Sequence, residues 1–132
     1  MRFRDDRKRV MVVDDEDSIR ELTAAWLSDE GFVVATARNG ADALRQLRDF
    51  GPDVIVLDLL LPDVNGFELC RRLRSNRATA AIPIIFLSAD ESSVFKAMAS
   101  PEYAPVFEIL RKPAPAEKLL ATIHTAIKES QM

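Results

Sequence analysis

Residues 54–57, Val-Ile-Val-Leu, are apolar at every position and run directly into a carboxylate, Asp58. A strand without polar alternation has no face for water, so it belongs inside a parallel sheet covered by helices on both sides. The rest of the chain supplies such covers, because short β-branched runs alternate with amphipathic stretches from end to end, the pattern of repeated βα units. Strands are expected over 10–13, 32–36, 54–57, 84–87 and 106–110. The first helix opens at a capping box, Ser18-Ile19-Arg20-Glu21, turns Ile19, Leu22 and Trp26 inward, and ends at Gly31. The second starts at Asn39-Gly40, buries Ala43, Leu44 and Leu47, and stops at Gly51-Pro52. Further helices are expected over 65–74, 92–98 (limited by Pro101 and Pro105) and 115 to about 128. The fold class is α/β, a three-layer α/β/α sandwich around a five-stranded parallel sheet. Periodicity alone gives no strand order.

The 132 residues suit one domain, 1–132, with a tail over about 1–8. Hydrophobic residues are 48% and charged residues 30%, and no apolar run approaches the roughly 20 residues that span a bilayer. Residues 1–9 hold five basic and two acidic side chains but lead into no long apolar stretch of the kind a secretory signal needs. A net charge of -3 with scattered Lys and Arg argues for protein partners and against direct nucleic-acid or membrane binding. The single cysteine, Cys70, allows neither an internal disulfide nor a thiolate zinc site, and a cytoplasmic location is expected.

In an open parallel sheet, ligands bind beyond the carboxyl ends of the strands. Those positions here are Asp14 and Asp15 after the first strand, Asp58 after the third, Ser88 after the fourth, and Lys112-Pro113 after the fifth. Three carboxylates held together repel one another unless a cation joins them. Mg²⁺ (or Mn²⁺) suits the need, since Mg²⁺ takes oxygen ligands and keeps several waters. With one ammonium the cluster carries two net negative charges, and a divalent ion brings it to zero.

Val12-Val13-Asp14-Asp15-Glu16, Leu57-Asp58 with Pro62 and Gly66 after it, Ser88-Ala89, and Lys112-Pro113 together resemble the CheY-like response-regulator receiver family of two-component signalling. The resemblance covers almost the whole chain and implies a flavodoxin-like, doubly wound sheet. It implies that Asp58 accepts a phosphoryl group from a sensor histidine kinase or a histidine phosphotransfer protein. Asp14, Asp15, Asp58 and the backbone carbonyl of Leu60 would then hold the metal, Lys112 would pair with phosphoryl oxygens, and Ser88 would move to donate to a new one. The result is a phosphoacceptor switch rather than an enzyme, acting on a downstream protein as a monomer or as a phosphorylation-dependent dimer. Pro62 and Gly66 shape the acceptor loop, and Lys112-Pro113 is expected to be cis, as in the family. Leu60 and Asp90 flank the phosphoryl position, where the family sets the lifetime of the acyl phosphate.

One departure concerns the switch. The family commonly places an aromatic three residues before the lysine, where this chain has Ile109, so the switch candidates are Ser88, Phe107 and Ile109. The segment between Ser88 and Lys112 is also longer than usual and carries Ser100-Pro101-Glu102-Tyr103-Ala104-Pro105 ahead of the fifth strand. Alternatives are a receiver fragment of a longer regulator with an output domain, and a receiver-like scaffold that is never phosphorylated. The chain ends soon after the last helix, which favours a stand-alone module. A metal-dependent aspartyl-phosphate hydrolase would need an acid two residues past the nucleophile, where Leu60 stands. A flavin or nucleotide binder would need a Gly-rich loop where Asp14-Asp15 stands. Cys70, at helical spacing from Phe67 and Leu73, reads as core packing, His124 as a helix-face residue, and Arg71, Arg72, Arg74 and Arg77 as a solvated helix end.

Overall fold

The structure, a computed structural model, describes residues 6–89 and 108–131. Its elements in chain order are β1 (Arg9–Val13), α1 (Asp17–Asp29), β2 (Val33–Ala37), α2 (Gly40–Phe50), β3 (Val54–Asp58), α3 (Gly66–Ser75), β4 (Ile84–Ser88), β5 (Glu108–Arg111) and α4 (Ala116–Ser130). The strands form one parallel sheet in the order β2-β1-β3-β4-β5. This is the doubly wound order in which successive connections leave β1 and β3 in opposite directions, opening a crevice at their carboxyl ends. The expected helix at 92–98 lies outside the described residues, as do Asp90, Val106 and Phe107.

Period-two geometry divides the core. Met11, Val13, Ile55, Leu57, Ile84 and Phe86 face α2 and α3, where they meet Leu47, Phe67, Leu69, Cys70 and Leu73. Their neighbours Val10, Val12, Val54, Val56, Ile85 and Leu87 face α1 and α4, meeting Leu27, Leu119, Ile123 and Ile127. All five residues of β3 are buried, as a central strand covered on both faces requires. Each such side chain contributes roughly 1.5 to 3 kcal/mol of transfer free energy.

Helix α1 departs from expectation. It begins at Asp17 with Glu16 as N-cap and no side-chain cap, so Ser18-Ile19-Arg20-Glu21 is not a capping box. Asp14 Oδ1 instead accepts from the Glu16 amide at 3.0 Å. Leu27 is its one buried residue, Trp26 is half-buried, Ile19 is exposed, and Leu22 is 71% exposed. Helical spacing back from Leu27 puts Ala24, Thr23 and Arg20 on the inner stripe. That stripe is less apolar than its neighbour, which misleads a periodicity reading.

Elsewhere the side chains explain the ends. Asn39 and Asn65 cap α2 and α3 by accepting from the Asp42 and Glu68 amides at 2.8 and 2.9 Å. Gly51 closes α2 in a left-handed conformation, φ 62°. Ala43 and Leu47 are buried as expected, while Leu44 sits at the edge and is exposed. The arginine cluster dissolves into local contacts. Arg71 and Arg72 pair with Glu68, and Arg74 donates to the carbonyls of Ala80 and Ile82 at 2.9 and 2.7 Å.

Candidate functional site

Register brings the polar residues together. Val13 pairs with Leu57, so the next residues along the two strands, Asp14 and Asp58, emerge side by side. Asp58 pairs with Leu87 and Ser88 with Arg111, which sets Lys112 one step beyond the sheet on the same edge. The Lys112 amide donates to the Ser88 carbonyl at 2.8 Å, continuing the ladder, and the Lys112-Pro113 peptide is cis.

Lys112 Nζ donates to Asp14 Oδ2 at 2.9 Å and to Asp58 Oδ2 at 3.0 Å. Asp14 and Asp58 are 2% and 6% exposed, whereas Asp15 is open to solvent. Carboxylate oxygens of all three lie within 4.8 Å of one another. Asp58 Oδ1 accepts from the Leu60 amide at 3.1 Å, and Arg20 donates to the Asp14 carbonyl at 3.0 Å, tying α1 to the turn. The donor set is all oxygen, open on the Asp15 side and rich in negative charge, a fit for a hard divalent cation that keeps part of its water shell.

The electrostatics favour neutralisation. Burial pushes the Asp58 carboxyl above its ordinary range, against the Leu60 amide and Lys112, which pull it down. Burial also opposes the charged form of Lys112, but hydrogen bonds to Asp14 and Asp58 outweigh it and hold the ammonium above its ordinary value. Lys112 therefore contributes stability that is fully present below about pH 10.5 and is lost as pH rises through its raised value. Asp58 has the opposite sign. Its ionisation costs the folded state, a cost absent below its ordinary value near 3.8 and complete above the raised one. Metal-free Asp58→Asn is thus expected to be more stable than the parent at neutral pH, by on the order of 1 kcal/mol, since Lys112 keeps Asp14. The advantage should vanish at about pH 2.5, well below both values, where both states hold the proton. Thermal melts in chelator at the two pH values check this, and a lower midpoint for the variant at neutral pH would show that the Lys112 contact outweighs burial.

Asp14, Asp15, Asp58 and Lys112 converge as the sequence suggested. Ser88 is buried at the end of β4, next to this edge, and Leu60, 58% exposed, stands beside Asp58. Ile109 is half-buried against the α2/α3 face, as the strand partner of Phe86, while Phe107 falls outside the described residues. Two residues escaped the sequence reading. Arg20 is hinted at only by its i,i+3 spacing from Asp17. Asp63 accepts from the Gly40 and Ala41 amides, both at 2.9 Å, and no local pattern announces it.

A strand-edge acidic cluster beside a lysine on a 2-1-3-4-5 sheet is the architecture of CheY-like receiver domains. The chain belongs to the response regulator receiver domain family, whose sequence model matches residues 10–124. Members are receivers of two-component response regulators, phosphoacceptor switches that bind Mg²⁺ through acidic residues.

Among curated relatives, the DNA-binding response regulator MtrA of Mycolicibacterium smegmatis is 33% identical over 125 residues, covering 95% of this chain and 53% of its own length. The transcriptional regulatory protein GltR of Pseudomonas aeruginosa is 35% identical over 124 residues, 94% of this chain and 50% of its own. The chain thus spans about half the length of these relatives. Among solved structures, the chemotaxis response regulator CheY4 of Vibrio cholerae superposes with a TM-score of 0.81 at 31% identity, covering 91% of this chain and 98% of that one. A receiver domain protein from Clostridium thermocellum gives 0.83 at 27% identity, covering 94% and 97%. No helix among the described residues is long and apolar enough to cross a membrane.

Proposed function

We propose that Asp58 is the residue that carries the phosphoryl group and that residues 1–132 act as one receiver unit. The observation that carries this reading is Lys112 Nζ within 3.0 Å of both Asp14 and Asp58, with Asp15 beside them. An oxygen of Asp58 attacks the phosphorus of a phosphohistidine, the new O–P bond forming as the N–P bond breaks and the imidazole leaves. Such a transfer depends on in-line positioning and on positive charge at the phosphoryl oxygens, rather than on an added base. Asp14, Asp15, Asp58 and the Leu60 carbonyl would hold Mg²⁺ or Mn²⁺, which when bound neutralises charge on those oxygens. Lys112 then trades a carboxylate partner for phosphoryl oxygens. Ser88, at the adjacent strand end, supplies a hydroxyl to one of them, and its movement carries the change to the surface.

The donor is a histidine kinase or histidine phosphotransfer protein, and the output is a contact with a downstream protein, made by a monomer or a phosphorylation-dependent dimer in the cytoplasm. Intact-protein mass spectrometry tests the core of the reading. With Mg²⁺ and acetyl phosphate the chain should gain one base-labile phosphoryl group, and chelator should abolish the gain. Persistent absence of the gain despite metal binding would favour a contact-only scaffold.

Leu60 bears on the lifetime of the product. It presents an apolar side chain beside Asp58 where a polar one could orient water. Leu60→Asn is expected to speed loss of the phosphoryl group by on the order of tenfold. An unchanged decay of the phosphorylated mass after donor removal would refute this.

A further inference from the structure

We propose that Asp63 is a positioning residue for the metal site, holding the acceptor loop so that Leu60 stays beside Asp58; the inference rests on the metal reading above. The loop between β3 and α3 is closed at its base, where the Gly66 amide donates to the Leu59 carbonyl at 2.8 Å and Leu60 bridges Asn65. Its tip is held by something outside the loop. Both oxygens of Asp63 accept from the first two amides of α2, Gly40 and Ala41, at 2.9 Å each. These bonds keep the Asp63 carboxyl below the usual carboxylate range, so it is charged whenever the protein is near neutrality. Val64 presses on the same helix end, where a Cβ at position 40 would lie 2.3 Å from its Cγ1.

The α2 terminus is itself anchored by other contacts. Asn39 satisfies the Asp42 amide, and Ala43 and Leu47 are packed against the sheet. Three consecutive amides of one helix are therefore taken by two side chains, one from its own cap and one from the acceptor loop. Only the second reaches the site. Leu60 belongs to the closed base of the loop through its bridge to Asn65, stands three residues from the pinned tip at Asp63, and donates its amide to Asp58 Oδ1. Cutting the tip free leaves the β3 end in place but removes a hold on the loop that comes from another element, so the Leu60 backbone is fixed less firmly beside Asp58.

A simple capping role for Asp63 makes a different prediction, and Asn39 provides the control. Mg²⁺ is titrated calorimetrically into the parent, Asp63→Ala, Asp63→Glu and Asn39→Ala, with thermal midpoints measured alongside. Asp63→Ala should weaken Mg²⁺ binding by roughly tenfold, as loss of outer partners of metal ligands commonly does. Asp63→Glu, which can still accept both amides, should recover much of it. Asn39→Ala should lower the midpoint by about 3 °C, as loss of a cap does, yet leave the affinity unchanged. Unchanged affinity in Asp63→Ala, or equal weakening in Asp63→Ala and Asn39→Ala, overturns the proposal. A parent that binds no Mg²⁺ at millimolar concentration overturns the metal reading and this inference together, a result visible before any variant is compared.

Discussion

Asp58→Ala is expected to gain no phosphoryl group from acetyl phosphate and Mg²⁺, its rate falling below about a thousandth of the parent's. The geometry explains why no neighbour should take over. Asp14 is the more deeply buried of the two carboxylates that share Lys112, 2% exposed against 6% for Asp58, so a donor reaches it less readily. Asp15 is solvent-exposed, without the pairing to Lys112 that orients Asp58. The variant should also keep its fold, because removing a carboxylate whose ionisation burial already opposes costs the metal-free protein little. Intact mass after incubation, with peptide mapping of any product, is the measurement. A residual gain mapped to Asp15 would show that the pocket activates whichever carboxylate is nearest, and would sink the assignment of a single acceptor.

Gly66→Ala should have the second large effect, this time on stability. A Cβ there would lie 2.8 Å from the Leu59 Cα and 3.0 Å from the Asp58 carbonyl oxygen. Both are backbone atoms and cannot rotate away, so α3 must retreat from β3 or the acceptor loop must buckle. Overpacking of this kind costs about 2 to 3 kcal/mol, and the midpoint should fall by roughly 10 °C. Gly51→Ala makes the comparison informative. Position 51 has φ 62° but nothing within 4 Å of a new Cβ, so its penalty is the backbone term alone, about 1 kcal/mol. If the two variants melt together, close approach is not what position 66 requires. The sequence reading assigned Gly66 to the turn itself, whereas its φ is ordinary and the need is room for the strand behind it.

That difference marks what a sequence can carry. Residues 54–57 announce β3 because a strand buried on both faces leaves no polar residue to hide the pattern, and Asp58 stands out against them. Asp14 and Asp15 follow from their place after a strand, and the family resemblance supplied the role of Lys112. The inner face of α1 was illegible because its stripe is Arg20, Thr23 and Ala24, shorter or more polar than the exposed Ile19 and Leu22. Asp63 was illegible for another reason. Its partners are 23 and 22 residues away on a helix that meets the loop only after the sheet has aligned α2 with α3. Local propensity carries no trace of a contact made by topology.

The bonds that define the site join residues 98 and 54 positions apart, Lys112 to Asp14 and Lys112 to Asp58. Loops of that length close late and at an entropic cost, and the end of the last strand brings the one ammonium that, among the described residues, reaches these carboxylates. A chain stalled before β5 docks would display two or three acids and no counter-cation, a poor place for an anionic donor to land. The charge balance of the crevice therefore arrives with completion of the sheet, because Lys112 meets Asp14 and Asp58 only once the last strand is in place.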